Sequence, residues 1–332
     1  PIPQITPEFP DSINSTAFWT HLRQFIKRTY LFTFFLKLSD LFTLVVLCTY
    51  MKRQAQINGS PFGDDSPLLI IAGPCVLETY NEALQIAETL LHHCRDAGVQ
   101  FVFKGSFDKA NRTSVHSQRG PGMSKGLEIL SRIKEELHIP VTTDIHEASQ
   151  AEPVGAVADI LQIPAFLCRQ TDLLVAAAQT GTVVNVKKGQ FLSPDEMKHV
   201  ITKLQESSCN NMMLTERGTF FGYNRLVNDF IGLGDMMELG PPICFDVTHS
   251  TQLPGAGKNN TAGRPDRAFL LAKAATAAGV DALFLECHPN PSEAASDAST
   301  MQPLSAMQEV ISTCSAIRNA TGNVHAMKET GN

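Results

Sequence analysis

Phe101-Val-Phe-Lys-Gly-Ser-Phe-Asp-Lys-Ala-Asn-Arg-Thr-Ser114 begins as an apolar run and ends as a cationic loop. The apolar start reads as a buried strand. The segment that follows sets Lys104, Lys109 and Arg112 among Ser106, Asn111, Thr113 and Ser114. Lysine supplies a point charge and arginine a planar fork for phosphate. Cations and small hydroxyl or amide groups just past a strand end therefore suit an anionic, polyoxygenated ligand such as a sugar phosphate. A solvated basic loop would have the same composition, so the neighbouring sequence must decide.

Working outward, the same unit repeats from Pro67: a short apolar run, a polar or glycine-rich turn, then a segment of helical period. Strands are predicted at Leu68–Ala72, Gln100–Lys104, Pro140–Asp144, Ile160–Ile163, Val183–Lys187, Asn211–Leu214, Ile243–Asp246 and Ala282–Glu286. Helices are predicted over 81–97, 123–138, 146–154, 171–180, from Ser193, over 265–278 and over 304–318, with a long irregular segment after the sixth strand. Gly98 and Gly279 are suited to helix C-caps, and Ser193-Pro-Asp-Glu to a helix start. Eight strands alternating with helices in about 265 residues fit a (β/α)8 TIM barrel. A doubly wound sheet is the alternative, but Ala72-Gly-Pro-Cys-Val-Leu-Glu78 is not its GxGxxG fingerprint.

In such a barrel the strand C-termini converge on one face. Polar residues stand at most of them: Cys75 and Glu78, Lys104, Asp144, Gln170, Lys187, Glu216 and Arg217, Asp246 and His249, Glu286 and His288. One such residue is commonly a cap or a salt bridge; a full ring is hard to explain as packing. Lys104, Lys109, Arg112, Lys187 and Arg217, with Arg119 nearby, would repel one another unless polyanions bind among them. That points to two anionic substrates or one bisphosphate. Cys75, His249, Glu286 and Asp297 follow strands one, seven and eight, which are neighbours in a closed barrel. Thiolate, imidazole and two carboxylates suit a divalent transition metal. A buried cysteine beside a separate His–carboxylate pair is the plainer reading of the same residues.

The chain has 332 residues, 43% hydrophobic and 18% charged, with a formal net charge of -6. That is globular composition, and it gives no reason to expect nucleic acid as a partner. Eight cysteines are scattered without a CxxC pair, as expected of a reducing compartment rather than a disulfide framework. Residues 1–65 differ from the rest. Tyr30–Tyr50 is nearly long enough to cross a bilayer, yet contains Lys37 and Asp40, and Arg23, Lys27, Arg28, Lys52 and Arg53 flank it. Three readings are open: a membrane anchor, an amphipathic docking extension, or leader sequence ahead of a true start at Met51. The domain division expected is therefore an extension over 1–65 and a catalytic barrel over 66–332.

These motifs resemble the 3-deoxy-D-manno-octulosonate 8-phosphate synthases, also called 2-dehydro-3-deoxyphosphooctonate aldolases. The resemblance runs from about Pro67 to Ile317. It rests on Ala72–Glu78, Phe103–Ser114, Arg119-Gly-Pro-Gly122, Thr143-Asp-Ile-His-Glu147, Gln162–Asp172, Asn185–Pro194, Thr215–Tyr223, Phe245–Pro254, Glu286-Cys-His-Pro289 and Ser296-Asp297. It implies a cytoplasmic homotetramer of TIM barrels that condenses phosphoenolpyruvate with D-arabinose 5-phosphate and water for lipopolysaccharide Kdo synthesis. By match to the family motifs, Lys104, Lys109, Lys187 and Arg217 would hold phosphoenolpyruvate, with Ser106 and Gln170 nearby. Asn111, Arg112 and Thr113 would receive the sugar phosphate, and Asp144 would sit near its hydroxyls. Lys109, Asp144, His249 and Asp297 are the implied catalytic groups. Cys75 marks the metal-dependent class, whose metal-free counterpart has asparagine there; with His249, Glu286 and Asp297 it would hold Fe, Zn, Mn or Co.

Two rivals remain at this level. The related synthase that uses erythrose 4-phosphate typically shows Lys-Pro-Arg-Thr-Ser, where this chain has Lys109-Ala-Asn-Arg-Thr-Ser114. The asparagine favours the five-carbon sugar. The other rival is an inactive, membrane-tethered barrel scaffold, motivated by residues 30–50 alone.

Overall fold

The computed structural model describes residues 53–110, 118–256 and 262–329. Its first elements are two short strands, β1 (Gln54–Ile57) and β2 (Ser60–Gly63). Eight further strands run parallel: β3 (Leu69–Gly73), β4 (Gln100–Lys104), β5 (Val141–Asp144), β6 (Ile160–Ile163), β7 (Val183–Lys187), β8 (Met212–Glu216), β11 (Ile243–Asp246) and β14 (Ala282–His288). They pair in that order, and β14 also pairs with β3, which closes the barrel. Helices α1 (Tyr80–Ala97), α2 (Met123–Leu137), α3 (Ala151–Gly155), α4 (Thr171–Ala178), α5 (Met197–Glu206), α6 (Phe230–Met237), α7 (Ala268–Ala278) and α8 (Met307–Glu329) complete the alternation. Short pairs β9 (Thr219–Phe220) with β10 (Leu226–Val227), and β12 (Gln252–Leu253) with β13 (Ala262–Gly263), decorate the loops, and β15 (Gln302–Pro303) extends β14.

Each helix lays an apolar stripe on the barrel. In α1 that stripe is Ala83, Ile86, Ala87, Leu90 and Cys94, spaced at the helical repeat. The Thr79 side chain accepts from Glu82 N–H at 3.3 Å to start α1, and Gly98 ends it at φ 64. Barrel strands are buried on both faces, so their apolar runs are continuous and alternate residues serve different cores. Ile70, Phe103, Leu161, Val184 and Leu285 face the helices. Leu69, Ile71, Val102, Ile160, Val183, Met213, Cys244, Ala282 and Phe284 fill the barrel.

The strand period of two explains the site. Two residues beyond the apolar inward positions Val102, Ile160, Cys244 and Phe284 stand Lys104, Gln162, Asp246 and Glu286, all buried. From Val183 the same step passes through Asn185 to Lys187. The barrel interior therefore changes from hydrocarbon to charge within one side-chain layer.

The opposite end is sealed by the β1–β2 hairpin. Ala55, Ile57 and Phe62 belong to the same apolar cluster as the barrel interior. The two-residue turn Asn58-Gly59 has φ 51 and 80, the left-handed geometry that hairpin twist favours. Asn58 donates to Asp159 Oδ1 at 2.7 Å, and Arg53 approaches Asp64 at 2.6 Å and Asp281 at 3.2 Å. The expected boundary at residue 65 thus moves: Lys52–Asn332 forms one compact unit, and residues 53–65 belong to the barrel rather than to an extension. Burial of Phe62 within the barrel core is the physical reason.

Three other expectations change. The irregular segment after the sixth strand contains α6, capped by Asp229, whose Oδ1 accepts from Ile231 N–H at 3.0 Å. Its glycines obscured it; a Cβ on Gly232 would lie 2.7 Å from Pro194 Cγ, so packing requires the gap. Ser193 starts a turn rather than a helix, donating its N–H to Glu196 at 2.9 Å, and α5 begins at Met197. The strand predicted at Asn211–Leu214 runs on to Glu216. Residues 30–50 lie outside the described residues; among those described, no helix is long and apolar enough to cross a membrane.

Candidate active site

A cavity of about 730 Å³ opens at the C-terminal end of the barrel. Lys109, Asp144, His146, Gln162, Lys187, Gln190, Arg217, His249, Glu286 and Asp297 are among the residues lining it. Lys104 lies behind that wall, 1% exposed. Its Nζ donates to Pro74 O at 3.1 Å, Cys75 O at 2.7 Å and Glu286 Oε1 at 2.6 Å. It therefore shapes the loop that carries Cys75. Gly73 lets the Lys104 backbone come close to the end of β3: a Cβ there would meet the Lys104 carbonyl oxygen at 1.9 Å. Burial pulls the Lys104 pKa down, although Glu286 opposes the shift.

Lys109 Nζ donates to Ser106 Oγ at 3.0 Å and lies 3.9 Å from Glu286 Oε1. Burial opposes its charge, but Cys75, Glu286 and Asp144 outweigh it, and Lys109 is held firmly protonated. Lys187 Nζ donates to Asp246 Oδ2 at 2.5 Å and sits 3.6 Å from the centre of the Phe284 ring. Arg217 is 5% exposed. Its Nη2 donates to Gln252 Oε1 at 2.6 Å, and its Nη1 has no hydrogen-bond partner among the described residues. A buried guanidinium facing a cavity with an unused donor is prepared for an anion.

The carboxylates are held ionised. Burial raises Asp246, but His249 and Lys187 overcome it and keep its carboxyl well below the usual range. Glu286 is likewise held low by Lys104, His249 and Lys109 against burial, and Asp144 by Lys109 and its hydrogen bond to His146. Asp246 takes His249 Nδ1 at 2.8 Å and His249 N–H at 2.9 Å. An ionised Asp246 favours the proton on Nδ1, so in the neutral ring Nε2 is the nitrogen that presents a lone pair. Nε2 lies 3.7 Å from Glu286 Oε2.

Cys75, Glu286 and Asp297 each offer one donor atom, and the three atoms lie within 4.8 Å of one another. The Cys75 thiol reaches Ser296 Oγ and Asp297 Oδ2, both at 3.1 Å. Burial pushes that thiol up, and Asp297 and Glu286 push it further; a divalent cation would reverse this by favouring the thiolate. Glu286 Oε2 is buried without a hydrogen-bond partner among the described residues, so one carboxylate oxygen serves Lys104 while the other has only His249 Nε2 nearby, at 3.7 Å. Asp297 adopts φ 49, a strained conformation for a residue with a side chain and one that clusters at functional sites. The donor set and Glu286 Oε2 fit a divalent ion, with His249 beside them.

Not every expected residue is brought here. Gln170 is an exposed residue at the start of α4 and is not part of the cavity lining. Arg119 is exposed and pairs with Asp108 at 2.5 Å. Asn111, Arg112 and Thr113 lie outside the described residues. Conversely, Gln162, Gln190 and His146 line the cavity, and each keeps a buried side-chain atom without a partner among the described residues: Oε1, Oε1 and Nδ1. Gln162 was legible as the inward end of β6; His146 and Gln190 sit on loops whose course the sequence does not give.

Fold and cavity define a (β/α)8 barrel enzyme class that acts on small, multiply anionic substrates beside a metal-capable cluster. The match to known proteins is close: the DAHP synthetase I family corresponds to residues 51–320, and the chain belongs to that family. Among curated relatives, the 2-dehydro-3-deoxyphosphooctonate aldolase of Synechococcus sp. is 53% identical over 258 residues, covering 78% of this chain and 91% of that protein. The protein of the same name from Fusobacterium nucleatum is 48% identical over 259 residues, 78% of this chain and 93% of that one. That from Granulibacter bethesdensis is 51% identical over 261 residues, 78% and 92% respectively.

Proposed function

We propose that this chain is a 3-deoxy-D-manno-octulosonate 8-phosphate synthase, joining phosphoenolpyruvate to D-arabinose 5-phosphate with uptake of water and release of phosphate. The observation that carries the reading is one cavity with Lys109, Lys187 and Arg217 on its wall and the Cys75–Glu286–Asp297 cluster at its edge. The curated relatives bear the octonate name, which favours the five-carbon aldose over erythrose 4-phosphate. The inactive-scaffold reading has no support from a site with this many ionised and uncommitted groups.

Lys109, Lys187 and Arg217 would neutralise the carboxylate and phosphate of phosphoenolpyruvate, with Lys104 fixing the wall behind them. Asp144, held ionised and with Oδ1 unpartnered among the described residues, would accept from sugar hydroxyls. The phosphate end of the sugar would extend toward Asn111, Arg112 and Thr113. Carbon 3 of phosphoenolpyruvate attacks the aldehyde carbon, forming the new C–C bond. Water adds at carbon 2, where positive character develops, and phosphate leaves by C–O cleavage. Cys75, His249, Glu286 and Asp297 would hold a divalent ion, which supplies Lewis-acid polarisation of the aldehyde or a water when bound. Asp297, or His249 Nε2 where it does not ligate the ion, would move the proton of that water.

The family resemblance implies a cytoplasmic protein, and that is the compartment we propose. A homotetramer is the assembly the family resemblance implies. Exposed apolar side chains at Phe166, Phe191, Phe221, Tyr223 and Ile231 support association, which light scattering measures directly. The function itself is tested by phosphate release from phosphoenolpyruvate with each aldose, before and after EDTA and with metal added back. Turnover with arabinose 5-phosphate that EDTA abolishes and Zn, Mn, Fe or Co restores is expected. Release with erythrose 4-phosphate alone would replace the octulosonate reading, and EDTA-resistant turnover would remove the metal.

A further inference from the structure

A second group of metal-type donors lies outside the catalytic cavity. Glu78, Glu82 and His288 each present one donor atom, all within 4.8 Å of one another. None of the three lines the cavity. Glu78 directly precedes the Thr79 cap of α1 and Glu82 stands in its first turn. Carboxylates at a helix N-terminus need no ligand to explain them, since the helix dipole favours negative charge there. His288 is different. It is 5% exposed, on β14, and its Nε2 is a buried nitrogen with no hydrogen-bond partner among the described residues.

His288 Nδ1 lies 2.7 Å from Asn290 O and 3.0 Å from Asn290 N, and a cation bound at Nε2 would select the tautomer in which Nδ1–H donates to that carbonyl. In the neutral ring Nε2 then carries the lone pair. That lone pair sits 3.4 Å from Glu82 Oε1 with Glu78 beside it. In that tautomer three electron-rich atoms face one another, an arrangement that a cation between them stabilises. A tetrahedral ion with bonds of about 2.1 Å spaces its donors about 3.4 Å apart, and the His288–Glu82 pair already has that spacing.

We infer that Glu78, Glu82 and His288 form a second divalent-cation site, separate from the Cys75 cluster, that takes a borderline ion such as Zn²⁺ or Co²⁺ through one imidazole and two carboxylates. The class follows from the donors: imidazole with carboxylate suits zinc-like ions, whereas calcium and magnesium prefer all-oxygen sites. With the ion bound, Nδ1–H to Asn290 O would be the outer hydrogen bond that orients a metal-ligating histidine. The site also has a mechanical consequence. Glu78 Oε1 accepts from Ala295 N–H at 2.9 Å, so the ion would tie the start of α1 to the loop that carries Asp297.

The test counts ions on the full-length chain, stripped with EDTA and dialysed against Co²⁺ and, separately, Zn²⁺. Glu78 and Glu82 are partly exposed, so Glu78→Gln with Glu82→Gln leaves the core intact; circular dichroism confirms the fold. The wild-type chain is expected to hold one more equivalent of each ion than this double variant. In the Co²⁺ form, the lost equivalent carries only weak visible ligand-field absorption. Any near-ultraviolet thiolate-to-cobalt band stays in the double variant and disappears in Cys75→Ala. This holds whether or not the Cys75 cluster binds metal, so the two sites stand or fall separately. Equal stoichiometry and identical Co²⁺ spectra for the wild type and the folded double variant would overturn the proposal.

Discussion

Asp246→Asn probes how the site is assembled, because one buried carboxylate performs three tasks. It takes Lys187 Nζ at 2.5 Å, His249 Nδ1 at 2.8 Å and His249 N–H at 2.9 Å, with no exposure to solvent. Asparagine keeps the shape and removes the charge. Lys187 then becomes a buried cation without its partner, a change that costs about 3–5 kcal/mol. In a barrel of this size that lowers Tm by about 6–20 °C. The second effect is on His249. The asparagine amide donates to Nδ1, so the proton moves to Nε2 and the lone pair toward Glu286 is lost. Loss of an orienting partner of this kind lowers metal affinity about 10- to 100-fold, or about 1.4–2.7 kcal/mol. The assay is Co²⁺ titration followed by the thiolate-to-cobalt band, with phosphate release run in parallel at saturating metal. Activity should recover in part when metal is raised, and the remaining deficit reports Lys187. An Asp246→Asn chain that is folded and binds Co²⁺ within about threefold of wild type would refute the tautomer argument, since that bond is what orients the ligand.

Arg217→Ala should lower kcat/KM for phosphoenolpyruvate by about 30- to 1,000-fold, about 2–4 kcal/mol for a buried charge lost from an anion site; Arg217→Lys should recover only part, because the planar fork is missing. A KM for phosphoenolpyruvate unchanged in both variants would move the anion elsewhere. Phe62→Ala, in the hairpin that plugs the barrel, should cost about 3–5 kcal/mol of stability by denaturant unfolding while leaving the KM values near wild type; a neutral result would mean the hairpin does not seal the core. Asp281 gives a pH signature. Burial pushes it up to about 6 from 3.8, against Arg53 and the Ile243 N–H bond. The folded chain therefore holds this proton more tightly than the unfolded one, and the contribution is full below the unfolded pKa and is lost as pH rises through about 6. Across that window wild-type stability should fall by about 3 kcal/mol relative to Asp281→Asn; parallel pH profiles for the two chains would show that Asp281 is ionised throughout.

Most of the barrel was legible because its strands are buried on both faces and end in polar residues. Gln100–Lys104, Ile160–Ile163, Val183–Lys187 and Ile243–Asp246 appear in the structure with the bounds their apolar runs suggest. The β1–β2 hairpin was legible too, since Asn58-Gly59 between alternating residues is a strong hairpin signal. Its position beside the unusual N-terminal stretch drew it into the wrong segment. Helix α6 was obscured by glycines whose purpose is a contact with Pro194, 38 residues from Gly232 in sequence. No local propensity encodes such a contact.

The sequence by itself determined the chemistry available: cations, a thiol, carboxylates and a histidine at successive strand ends, and a family resemblance that the relatives bear out. Side-chain type and strand period are local properties, and both are written in the chain. Only the tertiary structure decided which atoms are committed to one another. It gave Lys104 to Glu286 Oε1 and left Oε2 without a hydrogen-bond partner among the described residues, assigned Asp246 to both Lys187 and His249, and left Gln170 outside the cavity while bringing Gln162 in. It also set His288 against Glu78 and Glu82, from opposite ends of the barrel's sequence. These pairings depend on closure between β14 and β3, which brings the last strand beside the first, and on burial that makes each unpartnered atom costly.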